Sequence, residues 1–107
     1  SYISYLSKMI YYKKGDDNMK KLYMFVTSWC PHCKNAKKWI QEWKTEHPEY
    51  EKVNLEIIDE EKEVEKVNAL NLDYYYVPTF FLENEKLHEG VPSKEIIKTV
   101  LDKALQN

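Results

Sequence analysis

The chain reads as an α/β domain: a mixed four-stranded sheet flanked by helices, in the order βαβαββα. Three observations lead there. A short apolar run, KLYMFVT, stands before a long stretch with apolar residues at helical spacing, and an alternating run, VNLEIID, follows it. Strand, helix and strand in that order make a parallel unit with a right-handed crossover. Further on, TFFLENEKLHEG reads as a hairpin and precedes a last amphipathic stretch.

Each element has its own local reason. Lys21–Thr27 is rich in aromatic and β-branched residues and short enough for a buried strand. Ala36, Trp39, Ile40 and Trp43 fall at i, i+3, i+4 and i+7, one face of a helix. Pro31 suits its first position. The helix should end near His47, because a residue before proline (here Pro48) is pushed out of the helical region. Val53–Asp59 is the second strand. Asp59 stands where it would cap a charged helix with Glu60 and Glu61 in its first turn and Val64, Val67 and Leu70 as a narrow apolar stripe. Thr79–Glu83, a turn at Asn84–Glu85 and Lys86–Gly90 form the hairpin. Ser93 caps a final helix whose Ile96, Ile97, Val100, Leu101, Ala104 and Leu105 face one way.

Residues 1–18 stand apart as an N-terminal extension, either a helix or a disordered leader. Tyr2, Tyr5, Leu6, Met9, Ile10 and Tyr12 recur at helical spacing, Gly15 can end such a helix, and Met19 resembles a start of translation. The domain proper is then 19–107.

With 107 residues, 43% of them hydrophobic, the chain can bury one core and not two. Its 16 basic and 18 acidic side chains interleave to a net charge of −2, so no basic face marks a nucleic-acid partner. No apolar run approaches the roughly 20 residues that cross a bilayer, and the opening is too broken by polar residues for a secretory signal. A cytoplasmic monomer with neither nucleic acid nor membrane as partner is expected.

The chemistry-bearing stretch is TSWCPHCK, which holds the only cysteines, Cys30 and Cys33. A loop so small cannot staple distant parts of a fold, and a close pair without a signal fits a reducing compartment. Cys30 falls at the start of the first helix, where unpaired N–H groups and the dipole favour an anion, and the thiolate is the form that attacks disulfides. His32, protonated or donating a hydrogen bond, would add to that. Cys33 follows one turn on, roughly 5–6 Å away between Cβ atoms, within reach of a disulfide. Two other readings stay open on the residues alone. A structural zinc site takes about four ligands, against two Cys with His32, His47 and His88 here; or the thiols are inert. Among the remaining aromatics and histidines, Tyr74–Tyr76 either frame a groove or pack around a loop. His47 supplies a favourable charge at a helix end, His88 is an exposed strand residue, and Trp39 and Trp43 are half-buried.

WCPHC, followed about 45 residues later by VPT, resembles the thioredoxin-like superfamily of thiol–disulfide oxidoreductases over about Lys20 to Leu105. The resemblance implies a thioredoxin-like fold in which Val77, Pro78 and Thr79 form a cis-proline loop lying against the cysteines. It makes Cys30, Pro31, His32 and Cys33 the catalytic motif, and Trp29, Val77, Pro78, Thr79, Gly90 and Val91 the substrate-binding surface. It also implies no metal and no bound cofactor beyond a redox-active Cys30–Cys33 disulfide. The partners would be protein disulfides, together with a reductase or small thiol that recycles the pair. Thioredoxins proper carry a buried aspartate where this chain has Met24 and a lysine where it has Leu55, and glutaredoxins carry a Gly-Gly pair where it has HEGVPSKE. A stabilised thiolate would make the pair more oxidising than thioredoxin's. A non-catalytic binding module on the same fold is the competing reading.

Overall fold

The computed structural model describes residues 19–106; the extension 1–18 lies outside them. Strand β1 spans Lys21–Val26, helix α1 Pro31–Glu46, a 3-10 turn Pro48–Lys52, β2 Asn54–Asp59, α2 Val64–Leu70, β3 Thr79–Leu82, β4 Glu85–Glu89 and α3 Lys94–Leu105. The sheet runs β2-β1-β3-β4. β1 pairs parallel with β2, Met24 opposite Ile57, and antiparallel with β3, Met24 opposite Phe80. This is the mixed four-stranded sheet with flanking helices, in thioredoxin-like topology.

Side chains alternate across a strand, and β1 feeds two cores in that way. Leu22, Met24 and Val26 pack with Cys33, Ala36 and Ile40 of α1 and with Ile97, Val100, Leu101 and Ala104 of α3. Phe25 points to the opposite face, where it joins Ile58 and Phe81 beneath Val67, Leu70, Leu72 and Tyr74. Ser93 caps α3 as expected, its Oγ accepting the Ile96 N–H at 3.1 Å, a contact of the kind worth about 1 kcal/mol. No helix among the described residues is long and apolar enough to cross a membrane.

Two local expectations need correction. Asp59 does not cap a helix: its Oδ1 accepts the N–H groups of Glu61 and Lys62 in a turn, at 3.0 and 3.2 Å. Helix α2 begins only at Val64, with Glu63 before it. The Glu60 N–H is still tied to the Val26 carbonyl at 2.9 Å, so the chain is held to the sheet past Asp59 and cannot turn into a helix there. In the hairpin the turn falls at Glu83–Asn84, one residue early. The Glu83 N–H bonds the Lys21 carbonyl at 2.9 Å, and the register sets Leu82 opposite Glu85. Glu83 consequently takes a positive φ of 54°, as two-residue hairpin loops require. The 3-10 turn, not anticipated, buries Tyr50, whose hydroxyl bonds Asp102 of α3.

Candidate active site

β1 ends at Val26, and the chain reverses so that the Cys30 N–H reaches the Thr27 carbonyl at 3.5 Å. α1 starts immediately, with Pro31 at its first position and Cys30 as the residue that caps it. The Cys30 Sγ accepts the Cys33 backbone N–H at 3.2 Å, the position that a serine or aspartate oxygen fills at other helix starts. One donor that the helix leaves unpaired is thus aimed at the sulfur. Both cysteines are free thiols and both are buried, at 4% exposure for Cys30 and 1% for Cys33.

A second loop lies against Cys30. Its Sγ–H faces the Val77 carbonyl at 3.8 Å, and the Val77–Pro78 peptide is cis. The Pro78 carbonyl accepts the Gly90 N–H at 2.9 Å. Gly90 has φ of 96°, the left-handed region where glycine bears no steric cost. Thr79 is buried, its hydroxyl donating to the Tyr76 carbonyl. Trp29 and Val91 are exposed, and Pro31 and His32 lie exposed at the helix start. Cys30 is thus tied to Val77 and Pro78 to Gly90, with Trp29 and Val91 next in sequence to Cys30 and Gly90. His32 makes no hydrogen bond to either sulfur among the described residues.

Cys33 faces inward. Burial, and next its hydrogen bond with Cys30, push its thiol up to about 12. Met24, fully buried, stands in the same core and Leu55 packs against it, so no carboxylate or amine is supplied from these positions. The raised value has a consequence for stability. Below about pH 8.5 the thiol is protonated in both folded and unfolded chains. Above it the unfolded chain releases the proton and the folded one holds it, so stability falls as pH rises toward 12. The reduced protein is expected to lose roughly 1 kcal/mol per pH unit above 9 through this group. Denaturant unfolding at pH 7 and pH 10, compared with Cys33→Ser, checks it; equal losses in the two chains would refute it.

Among the described residues no group of three or more His, Cys, Asp or Glu could hold a metal ion. His47 lies with its ring 5.8 Å from Trp43 and 5.6 Å from Tyr50, and Trp43 is half-buried with its indole N–H on the Lys94 carbonyl at 2.7 Å. His88 is half-buried rather than exposed, its Nε2 lying 3.0 Å from the Val91 carbonyl. The tyrosine run divides. Tyr74 packs on Phe25 with ring centroids 4.7 Å apart and donates its hydroxyl to Glu60 at 2.7 Å, while Tyr75 and Tyr76 stay exposed.

Three carboxylates that the sequence did not single out for the site support it. Glu61 accepts the Trp29 indole N–H at 3.1 and 3.2 Å. Glu60 holds Tyr74, and Glu89 accepts the backbone N–H groups of Tyr75 and Tyr76. Glu60 and Glu61 carry no local mark of this, since two acids after a strand read equally well as a helix's first turn.

The family model described as Thioredoxin matches residues 6–105. A thioredoxin of Methanocaldococcus jannaschii is 29% identical over 85 residues, covering 79% of this chain and 95% of that protein. Among solved structures, the oxidised thioredoxin of Plasmodium falciparum aligns with a TM-score of 0.60 at 19% identity, covering 94% of this chain and 89% of the other. The germline-specific thioredoxin Deadhead of Drosophila melanogaster aligns at 0.54 and 15%, covering 96% and 93%. The fold and a thiol pair bridged by one N–H together support a redox-active protein. By the extent of the family match, the chain belongs to the thioredoxin family.

Proposed function

We propose that this protein is a thiol–disulfide oxidoreductase acting on disulfides in protein substrates. The observation that carries the reading is the position of Cys30 Sγ: at a helix start, accepting the Cys33 N–H and abutting the Val77 carbonyl. A sulfur there is the attacking group, because a backbone donor of the helix start is aimed at it and it lies beside the Val77 loop. Cys33 is the resolving thiol. Pro31 and His32 complete the motif, the proline by starting the helix. Trp29, Val77, Pro78, Thr79, Gly90 and Val91 form or support the surface on which the substrate segment lies. The oxidised pair is returned to dithiol by a reductase or a small thiol, and no bound cofactor enters.

Reduction of insulin by dithiothreitol, followed as turbidity, tests the proposal. The chain should accelerate precipitation and Cys30→Ser should not. A native protein no faster than dithiothreitol alone overturns the enzyme reading and leaves a binding module on the same fold.

A further inference from the structure

Tyr75 and Tyr76 are the part of the tyrosine run that packing does not use. The two residues are 83% and 69% exposed. With Trp29 and Val91 they make four of the six exposed large hydrophobic residues among those described. All four lie on segments that converge at Cys30. Trp29 precedes it, Tyr75 and Tyr76 lead into the Val77 carbonyl that faces its sulfur, and Val91 follows Gly90, which is bonded to Pro78. Exposed apolar surface concentrated in this way marks a binding face.

The loop that carries the two rings is fixed. One carboxylate oxygen of Glu89 accepts both the Tyr75 and the Tyr76 N–H, the latter at 2.8 Å, and its other oxygen pairs with Lys86 at 2.6 Å. The Tyr76 carbonyl is taken by Thr79. These backbone groups are satisfied within the chain and the Glu89 charge is matched by Lys86. What the loop offers outward is two rings with little net charge beneath them. Tyrosine supplies contact area at low entropic cost, and aromatic pairs gain beyond their buried area.

We infer that Tyr75 and Tyr76 form an aromatic subsite, positioned by Glu89, that takes an aromatic side chain adjoining the cystine of an extended protein substrate. The inference rests on the oxidoreductase reading, and the experiment separates the two. Disulfide-bonded peptides differing only in the residue beside the cystine (Phe, Ser or Arg) are reduced by the full chain under steady-state recycling, with hydroxyethyl disulfide as a small probe on the native protein. The Phe peptide should show a kcat/KM about tenfold above the Ser peptide. In the Tyr75→Ser, Tyr76→Ser chain that ratio should fall to about one. Glu89→Ala should raise KM for the Phe peptide more than for the Ser peptide. Glu89→Gln, which keeps one oxygen for both N–H groups, should restore it. No Phe preference in the native protein, an undiminished ratio in the double variant, or a preference for Arg overturns the subsite. A native protein that reduces hydroxyethyl disulfide without the Phe preference loses only the subsite; one that reduces none of these disulfides loses both readings.

Discussion

A Cys33→Ser chain mixed with a disulfide substrate is expected to stop half-way, covalently joined to one half of that substrate through Cys30. On the proposed oxidoreductase reading, the Cys30 thiolate attacks one substrate sulfur, a mixed disulfide forms, and the other substrate sulfur leaves as a thiolate. In the native chain Cys33 would then lose its proton, attack Cys30 Sγ and release the second substrate thiolate. The substrate has gained two electrons and the pair has become a disulfide. Serine cannot make that second attack. The substitution leaves the first step intact, because the group that donates to Cys30 is the backbone N–H of residue 33, at 3.2 Å, and not its side chain. Intact mass and peptide mapping should find one adduct, on Cys30 and reversed by dithiothreitol, while the native chain accumulates little. Cys30→Ser should form none. An adduct on Cys33 in that variant would reverse the assigned roles, and no adduct in either would remove the mechanism.

On that reading, burial would make the second step the demanding one. Cys33 belongs to a core that it shares with Met24 and Ala36, and desolvation opposes the thiolate there, only partly offset by the Thr27 backbone and Lys37. In the proposed mechanism, attack by Cys33 would therefore have to be coupled to loss of that proton.

How much of this was legible in the residues depended on whether the signal was local. Pro31 and the His47–Pro48 pair bound α1 because proline's constraints act within one or two residues, and the helix spans Pro31–Glu46. Ser93 was legible as a cap for the same reason. Asp59 carried the same type of signal, yet a hydrogen bond from Glu60 to Val26, a partner far away in sequence, held the chain in the sheet. The 3-10 turn at Pro48–Lys52 is stabilised mainly by Tyr50 reaching Asp102 and the core, again a distant partner. At the site, spacing pointed to Cys30 and Cys33, and family likeness to the proline loop and Gly90–Val91. That Tyr74 would pack while Tyr75 and Tyr76 stayed out was not readable from three identical letters. It follows from which of them lands over Phe25. Glu89, three residues after Lys86, carries no local sign of its reach to the Tyr75 and Tyr76 amides.

Phe25→Ala is expected to have the largest effect of any single substitution on stability. Phe25 is fully buried, stacked on Tyr74 at 4.7 Å and edge-on to Phe81 at 6.0 Å. Among the described residues the cluster around it has three buried members, Phe25, Ile58 and Phe81, so little can move in to fill the space. Removing a buried phenylalanine side chain costs about 3–5 kcal/mol, set against a total of about 5–15 kcal/mol for a domain of this kind. The loss should appear as a fall in unfolding midpoint on the order of 15 °C or more. It should also fall unevenly. Helix α2 has seven residues and none of them buried, and a helix that short has no stability of its own in water. It is held through Val67 and Leu70 against this cluster, as is Val77. Hydrogen exchange in Phe25→Ala should therefore rise first in α2 and in the segment leading to Val77, before the α1–α3 core opens. A loss under 1 kcal/mol, or exchange rising evenly across both faces, would show that the second cluster does not support the loop beside Cys30.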